Sequence, residues 1–222
     1  MAVLGIDGCP GGWVGALVDD GEVVWHSGEF AGMLLLDADV VAVDIPIGLP
    51  TGGARRKADV EARAVLGRAR SSVFFAPPRV VLEAGDQPDA TRLSRAAGST
   101  GVSIQMFHVL GKVAEVDAVL RRDAQAAARV VEVHPEVSFR RLARSDVLPS
   151  KQVAAGRDER LRALRTWLPD LELPAQLPGR ARVDDCLDAL VCAWTAERWA
   201  RGAAEVLGGD LDGTGLPMRI VV

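Results

Sequence analysis

Short valine-rich runs that end on a carboxylate constrain this chain more than any other feature. They are Val3-Leu4-Gly5-Ile6-Asp7, Val40-Val41-Ala42-Val43-Asp44 and Val130-Val131-Glu132. Apolar runs without polar alternation are the pattern of strands buried on both faces, as in an α/β sheet. Helical segments between them predict a mixed sheet with helices packed on it. An acid at the end of such a strand is costly to bury unless a cation meets it. A fourth stretch, Asp184-Asp185-Cys186-Leu187-Asp188, places acids on a helix. Acids gathered from separate strands and one helix predict a shared divalent-metal site.

The remaining punctuation completes the outline. Gly8-Cys9-Pro10-Gly11-Gly12 is a turn, and Trp13–Val18 with Glu22–Trp25 reads as a hairpin closed by Asp19-Asp20-Gly21. Helical stretches are expected at 30–36, 54–67, 89–97, 102–122, 156–167 and 183–204. The last carries an apolar stripe of Val183, Cys186, Leu187, Leu190, Val191 and Trp194. Met218–Val222 reads as a final edge strand.

With 49% hydrophobic residues, the 222-residue chain can bury a substantial core. A net charge of −4 argues mildly against a general nucleic-acid binder. Cys9, Cys186 and Cys192 are odd in number and lack CxxC spacing, which predicts neither a disulfide framework nor a zinc knuckle. No leader-like segment or bilayer-length apolar run is present, so a reduced, cytoplasmic protein without membrane contact is expected.

Each acid has a bland reading. Asp7 precedes a glycine and could be a turn residue. Asp44 could simply end its strand. Asp184 and Asp185 sit in a first helical turn, where acids complement the helix dipole. Asp188 lies inside the helix beside the apolar stripe and has no such explanation. Asp185 and Asp188 are three apart and Asp184 and Asp188 four apart, so spacing leaves open which of Asp184 and Asp185 shares a face with Asp188. Hard carboxylate oxygens suit Mg²⁺ or Mn²⁺, and two such ions can drive phosphodiester hydrolysis.

The strand-Asp-Gly opening with Gly11-Gly12-Trp13, the Val-Asp44-Ile-Pro-Ile-Gly-Leu segment and the Asp185-Cys-Leu-Asp188-Ala-Leu helix resemble the RNase H-like superfamily on its RuvC/YqgF side. More closely, the chain is similar to a family of uncharacterised proteins predicted to be RNase H-like nucleases. That likeness also rests on Arg68-Ala-Arg70-Ser71-Ser72-Val73-Phe74, Glu132-Val-His134-Pro135-Glu136 and Lys151 with Glu159-Arg160. It implies one domain over residues 1–222, with a five-stranded mixed sheet of order 3-2-1-4-5 flanked by helices. Residues 48–128 would form a large helical insertion between strands four and five. It further implies Asp7, Asp44 and Asp185 as metal ligands, with Asp188 and Glu132 as further ligands or their supports.

Around that centre, Arg68, Arg70, Ser71 and Lys151 are candidate phosphate partners. The stretch 54–79 holds seven positive and two negative side chains, against the acidic balance of the whole. A solvated helix face with i,i+4 pairs explains the same stretch. His134 is a candidate proton shuttle or a structural residue at the start of the Pro135 helix. The expected function is a Mg²⁺- or Mn²⁺-dependent nuclease acting on nucleic acid or a nucleotide. One alternative is a nucleotide phosphotransferase of the actin and sugar-kinase type, which would need a homodimer. Another is a non-catalytic binding module on the same fold.

Overall fold

The structure, a computed structural model, describes residues 1–222. It contains β1 (Val3–Cys9), β2 (Gly12–Asp19), β3 (Glu22–Gly28), α1 (Phe30–Met33), β4 (Val40–Val43), α2 (Lys57–Leu66), α3 (Gln87–Ala96) and α4 (Ile104–Arg122). These are followed by α5 (Ala124–Arg129), β5 (Val130–Glu132), α6 (Pro135–Ala143), α7 (Ala154–Arg165), α8 (Val183–Ala200), β6 (Val206–Leu211) and β7 (Pro217–Val221). No helix is long and apolar enough to cross a membrane. The chain packs into two compact units: residues 1–44, 128–205 and 221–222, and residues 45–127 with 206–220.

The first unit is built on a five-stranded sheet of order β3-β2-β1-β4-β5, as expected. β1, β2 and β3 run antiparallel, while β1–β4 and β4–β5 are parallel. Alternate residues of each strand leave opposite faces. Val3 and Cys9 of β1, Val40 and Ala42 of β4, and Val131 share one buried cluster with Cys186, Leu187, Leu190 and Val191 of α8. Leu4 meets the other face, where Phe30 of α1 packs on Trp13 with ring centroids 5.6 Å apart and Met33 lies beside Gly15.

Gly5 sets how close α8 comes to the sheet. A Cβ on Gly5 would lie 1.9 Å from the Ala189 carbonyl oxygen and 2.2 Å from the Ala193 nitrogen. Only a glycine lets the helix backbone rest on β1 at this point. That seat places the N-terminal turns of α8 toward the carboxyl end of β1.

The second unit has its own small core, in which Val81, Ala90, Val102, Met106 and Leu110 pack together. β6 and β7 form a separate two-stranded sheet. The final strand is therefore present, and it pairs with β6, an element not expected from the sequence. Arg56, 2% exposed, donates to Asp59 and to the Ile47 carbonyl at 2.8 Å. Arg79 bridges Asp117 and Asp212.

Candidate functional site

The register of β1 and β4 pairs Ile6 with Val43, so Asp7 and Asp44 follow as neighbours at the ends of adjacent parallel strands. The Asp44 amide extends the ladder by donating to the Ile6 carbonyl at 3.1 Å. Both acids have the parity of the residues that face α8. Asp188, from α8, is 2% exposed and joins them there. Its Oδ2 is ion-paired with the Lys151 ammonium, while its Oδ1 is buried and accepts no hydrogen bond.

Mutual electrostatics show that these groups occupy one place. Burial pushes the Asp7 carboxyl well above the usual range, and the charges of Asp188 and Asp44 add to the rise against the pull of Lys151. Asp44 is raised to about 6 by burial, with Lys151 pulling down and Glu136 pushing up. Asp188 is raised to about 7, again first by burial, with Lys151 opposing and Asp44 and Glu136 adding. Burial opposes the charge on Lys151, but Asp188, Asp7 and Asp44 outweigh it and raise its pKa. One ammonium thus faces three carboxylates, and the surplus negative charge favours a proton or a further cation.

Asp185 lies at the margin. Its charge reaches Asp7, and burial raises its own pKa. Its Oδ2 accepts from the Arg182 amide at 2.8 Å and so caps α8. Asp184 is buried at Oδ1 without a partner.

Glu132 stands elsewhere. β5 pairs Val43 with Glu132, so Glu132 leaves the sheet on the face of Ile6 and Val43, opposite α8. The register therefore does not bring Glu132 together with Asp7 and Asp44. Glu136, four residues later on α6, is the acid whose charge reaches Asp44 and Asp188. His134 is the N-cap residue of α6, and its carbonyl accepts from Val137 and Ser138. Arg68, Arg70 and Ser71 lie exposed on the short 3-10 helix Gly67–Ser72 of the second unit.

Lys151 is held in place by residues whose role was not visible in sequence. Arg160 of α7, 1% exposed, donates to both Glu136 carboxylate oxygens at 2.8 Å and to the Pro149 carbonyl at 2.8 Å. Gly156 lets Ser150 approach so closely that a Cβ would meet its carbonyl oxygen at 2.0 Å. Arg157 donates to the Lys151 carbonyl at 3.4 Å. The segment before α7 is thereby strapped to α6, and the lysine is delivered to Asp188. The only sequence signal was the pairing of Lys151 with Glu159-Arg160.

The donor set is entirely carboxylate oxygen, which suits a hard divalent ion, and the orphaned Asp188 Oδ1 is a ready ligand. No group of three or more His, Cys, Asp or Glu side chains is spaced to hold a metal ion in this arrangement. The ammonium of Lys151 takes a cation's part beside Asp188. All three cysteines are buried and none forms a disulfide, and burial pushes the Cys186 thiol up to about 12.

No curated protein and no solved structure matches the chain. A family model, described as a protein of unknown function (DUF429), matches residues 5–212, and the chain belongs to that family.

Proposed function

We infer that the protein is a divalent-metal-dependent phosphodiester hydrolase, a nuclease on an RNase H-like fold. What supports this reading is the charge coupling of Asp7, Asp44 and Asp188, brought near one another from two strands and a helix, with a buried oxygen of Asp188 left unpartnered. Asp7, Asp44 and Asp188 would hold Mg²⁺ or Mn²⁺, with Asp185 at the edge. When bound, the metal supplies Lewis-acid stabilisation of charge on a phosphoryl oxygen. Without the ion, Asp44 and Asp188 have pKa values raised to about 6 and about 7, so metal binding near neutral pH would displace protons from them. Lys151, freed from Asp188, can offset the charge of a phosphate. Ligand sites at the carboxyl ends of parallel strands are the rule in open α/β sheets, which supports the location.

The Lys151–Asp188 ion pair favours a second reading, a binding module in which an internal cation has replaced the metal. One experiment separates the two. Purified protein is incubated with single-stranded and double-stranded DNA, RNA and mononucleotides, with Mg²⁺, Mn²⁺ or chelator. The nuclease reading expects metal-dependent cleavage that disappears in Asp7→Asn with Asp188→Asn. Cleavage that survives both substitutions, or its absence under every condition, overturns it.

A further inference from the structure

A separate cavity of about 770 Å³ opens in the first unit among α6, α7 and α8, and the reading above makes no use of it. Its lining brings together Arg141, Arg144, Arg162 and Arg198 with the rings of Trp167 and Trp194. Glu159 is the one acid that lines it, and Glu159 is bound to Arg162 at 2.7 Å. Arg198 and Asp188 are ten residues apart on α8, which is roughly 15 Å along a helix. The cavity is thus distinct from the acid cluster.

The bland explanation is that these arginines complement the negative ends of the helices. Arg141, Arg162 and Arg198 do lie in the last turns of α6, α7 and α8. Arg141 also has a partner, Glu205, at 2.8 Å. Two features exceed that explanation. Arg198 lies over the Trp194 ring, 4.9 Å from its centroid, and forms no ion pair; one terminal nitrogen donates to the Ala203 carbonyl at 2.6 Å, and its Nε is buried without a hydrogen bond. Arg144 makes no ion pair and ends α6 in the left-handed region, at φ 50° and ψ 42°. Glycine or asparagine is the ordinary residue at that position. An arginine held there carries backbone strain, and strain of this kind gathers at binding sites. The Trp167 ring is fixed by its indole N–H, which donates to Glu197 at 2.6 Å.

Guanidinium groups without counter-ions beside oriented indole faces form a recognisable combination. Guanidinium grips phosphate oxygens in a fork, and a tryptophan face stacks on a planar base. We propose that this cavity binds nucleotide units, with phosphate on Arg144 and Arg198 and a base against the Trp167–Trp194 wall. The units could come from a single strand or from free nucleotides, which present the same chemistry.

The test needs no metal and no catalysis, so its outcome is independent of the nuclease reading. Tryptophan fluorescence of the full chain is followed in chelator and low salt during titration with a ten-residue oligothymidylate, with dTMP and with inorganic phosphate. Saturable quenching by the oligomer or by dTMP, weakened by salt, is expected. A preference for the oligomer identifies a strand, and equal affinity per molecule identifies a free nucleotide. Arg198→Gln is expected to weaken binding about tenfold. Arg144→Gly should also weaken it, while raising Tm by roughly 2 °C through release of the backbone strain. If Arg144→Gly raises Tm and leaves affinity unchanged, or if neither the oligomer nor dTMP quenches the wild type, the arginines only cap their helices and the proposal is overturned.

Discussion

The ammonium of Lys151 is ion-paired with Oδ2 of Asp188, while the other oxygen of that carboxylate is buried with no hydrogen bond. A lysine therefore sits where the acids from β1, β4 and α8 would otherwise face only one another.

If the lysine and a divalent ion compete for the same carboxylates, removing the ammonium frees the site. Lys151→Met is expected to raise Mn²⁺ affinity by about tenfold, measured by calorimetry. Weaker binding in the variant would show that Lys151 supports the ion instead of competing with it.

The raised acids make stability depend on pH in a definite direction. Asp44 and Asp188 have folded-state pKa values of about 6 and about 7, above their ordinary value of 3.8, and burial raises Asp7 as well. Between roughly pH 4 and pH 7 the folded state binds more protons than the unfolded one, so their contribution to stability falls as pH rises. In chelator, Tm should increase as pH is lowered from 8 to about 5.5, and Asp188→Asn should flatten that rise. Metal binding has the opposite sense, because protons compete with the ion: Mn²⁺ affinity should increase from pH 5.5 to 8.

Gly5 is the point on which α8 rests. Gly5→Ala puts a methyl group into the backbone of Ala189 and Ala193, which cannot yield as a side chain would. A loss of about 3 kcal/mol or more is expected by urea unfolding. A loss under ~1 kcal/mol would mean that α8 is seated differently.

Arg160 and Glu136 are expected to behave as a buried pair. Removing one partner strands the other, so Arg160→Leu should cost about 3–5 kcal/mol. Adding Glu136→Leu should recover part of that loss.

Much of this was legible in the chain itself. The valine-rich runs identify buried strands because no polar residue interrupts them, and the Gly8–Gly12 turn with Asp20-Gly21 orders the first three. Asp7 and Asp44 were readable as a pair because each ends such a run. Glu132 ends the same kind of run, yet its register sets it on the other face of the sheet. Which face a three-residue strand shows is decided by its register with β4, and that register is not written locally. Arg160 was unreadable as the anchor of Lys151 because its partners, Pro149 and Glu136, meet only after α6 and α7 have packed. β6 went unread because Gly208-Gly209 interrupts its run, and glycine is a poor strand former.

The central claim is that Asp7, Asp44 and Asp188 together hold one hard divalent ion. Crystals grown with Mn²⁺ and examined at the manganese edge test it most directly. The expected result is an anomalous peak about 2.2 Å from oxygens of Asp7, Asp44 and Asp188, with the Lys151 ammonium moved away from Asp188. No peak among these acids, with Lys151 still paired to Asp188, would contradict it.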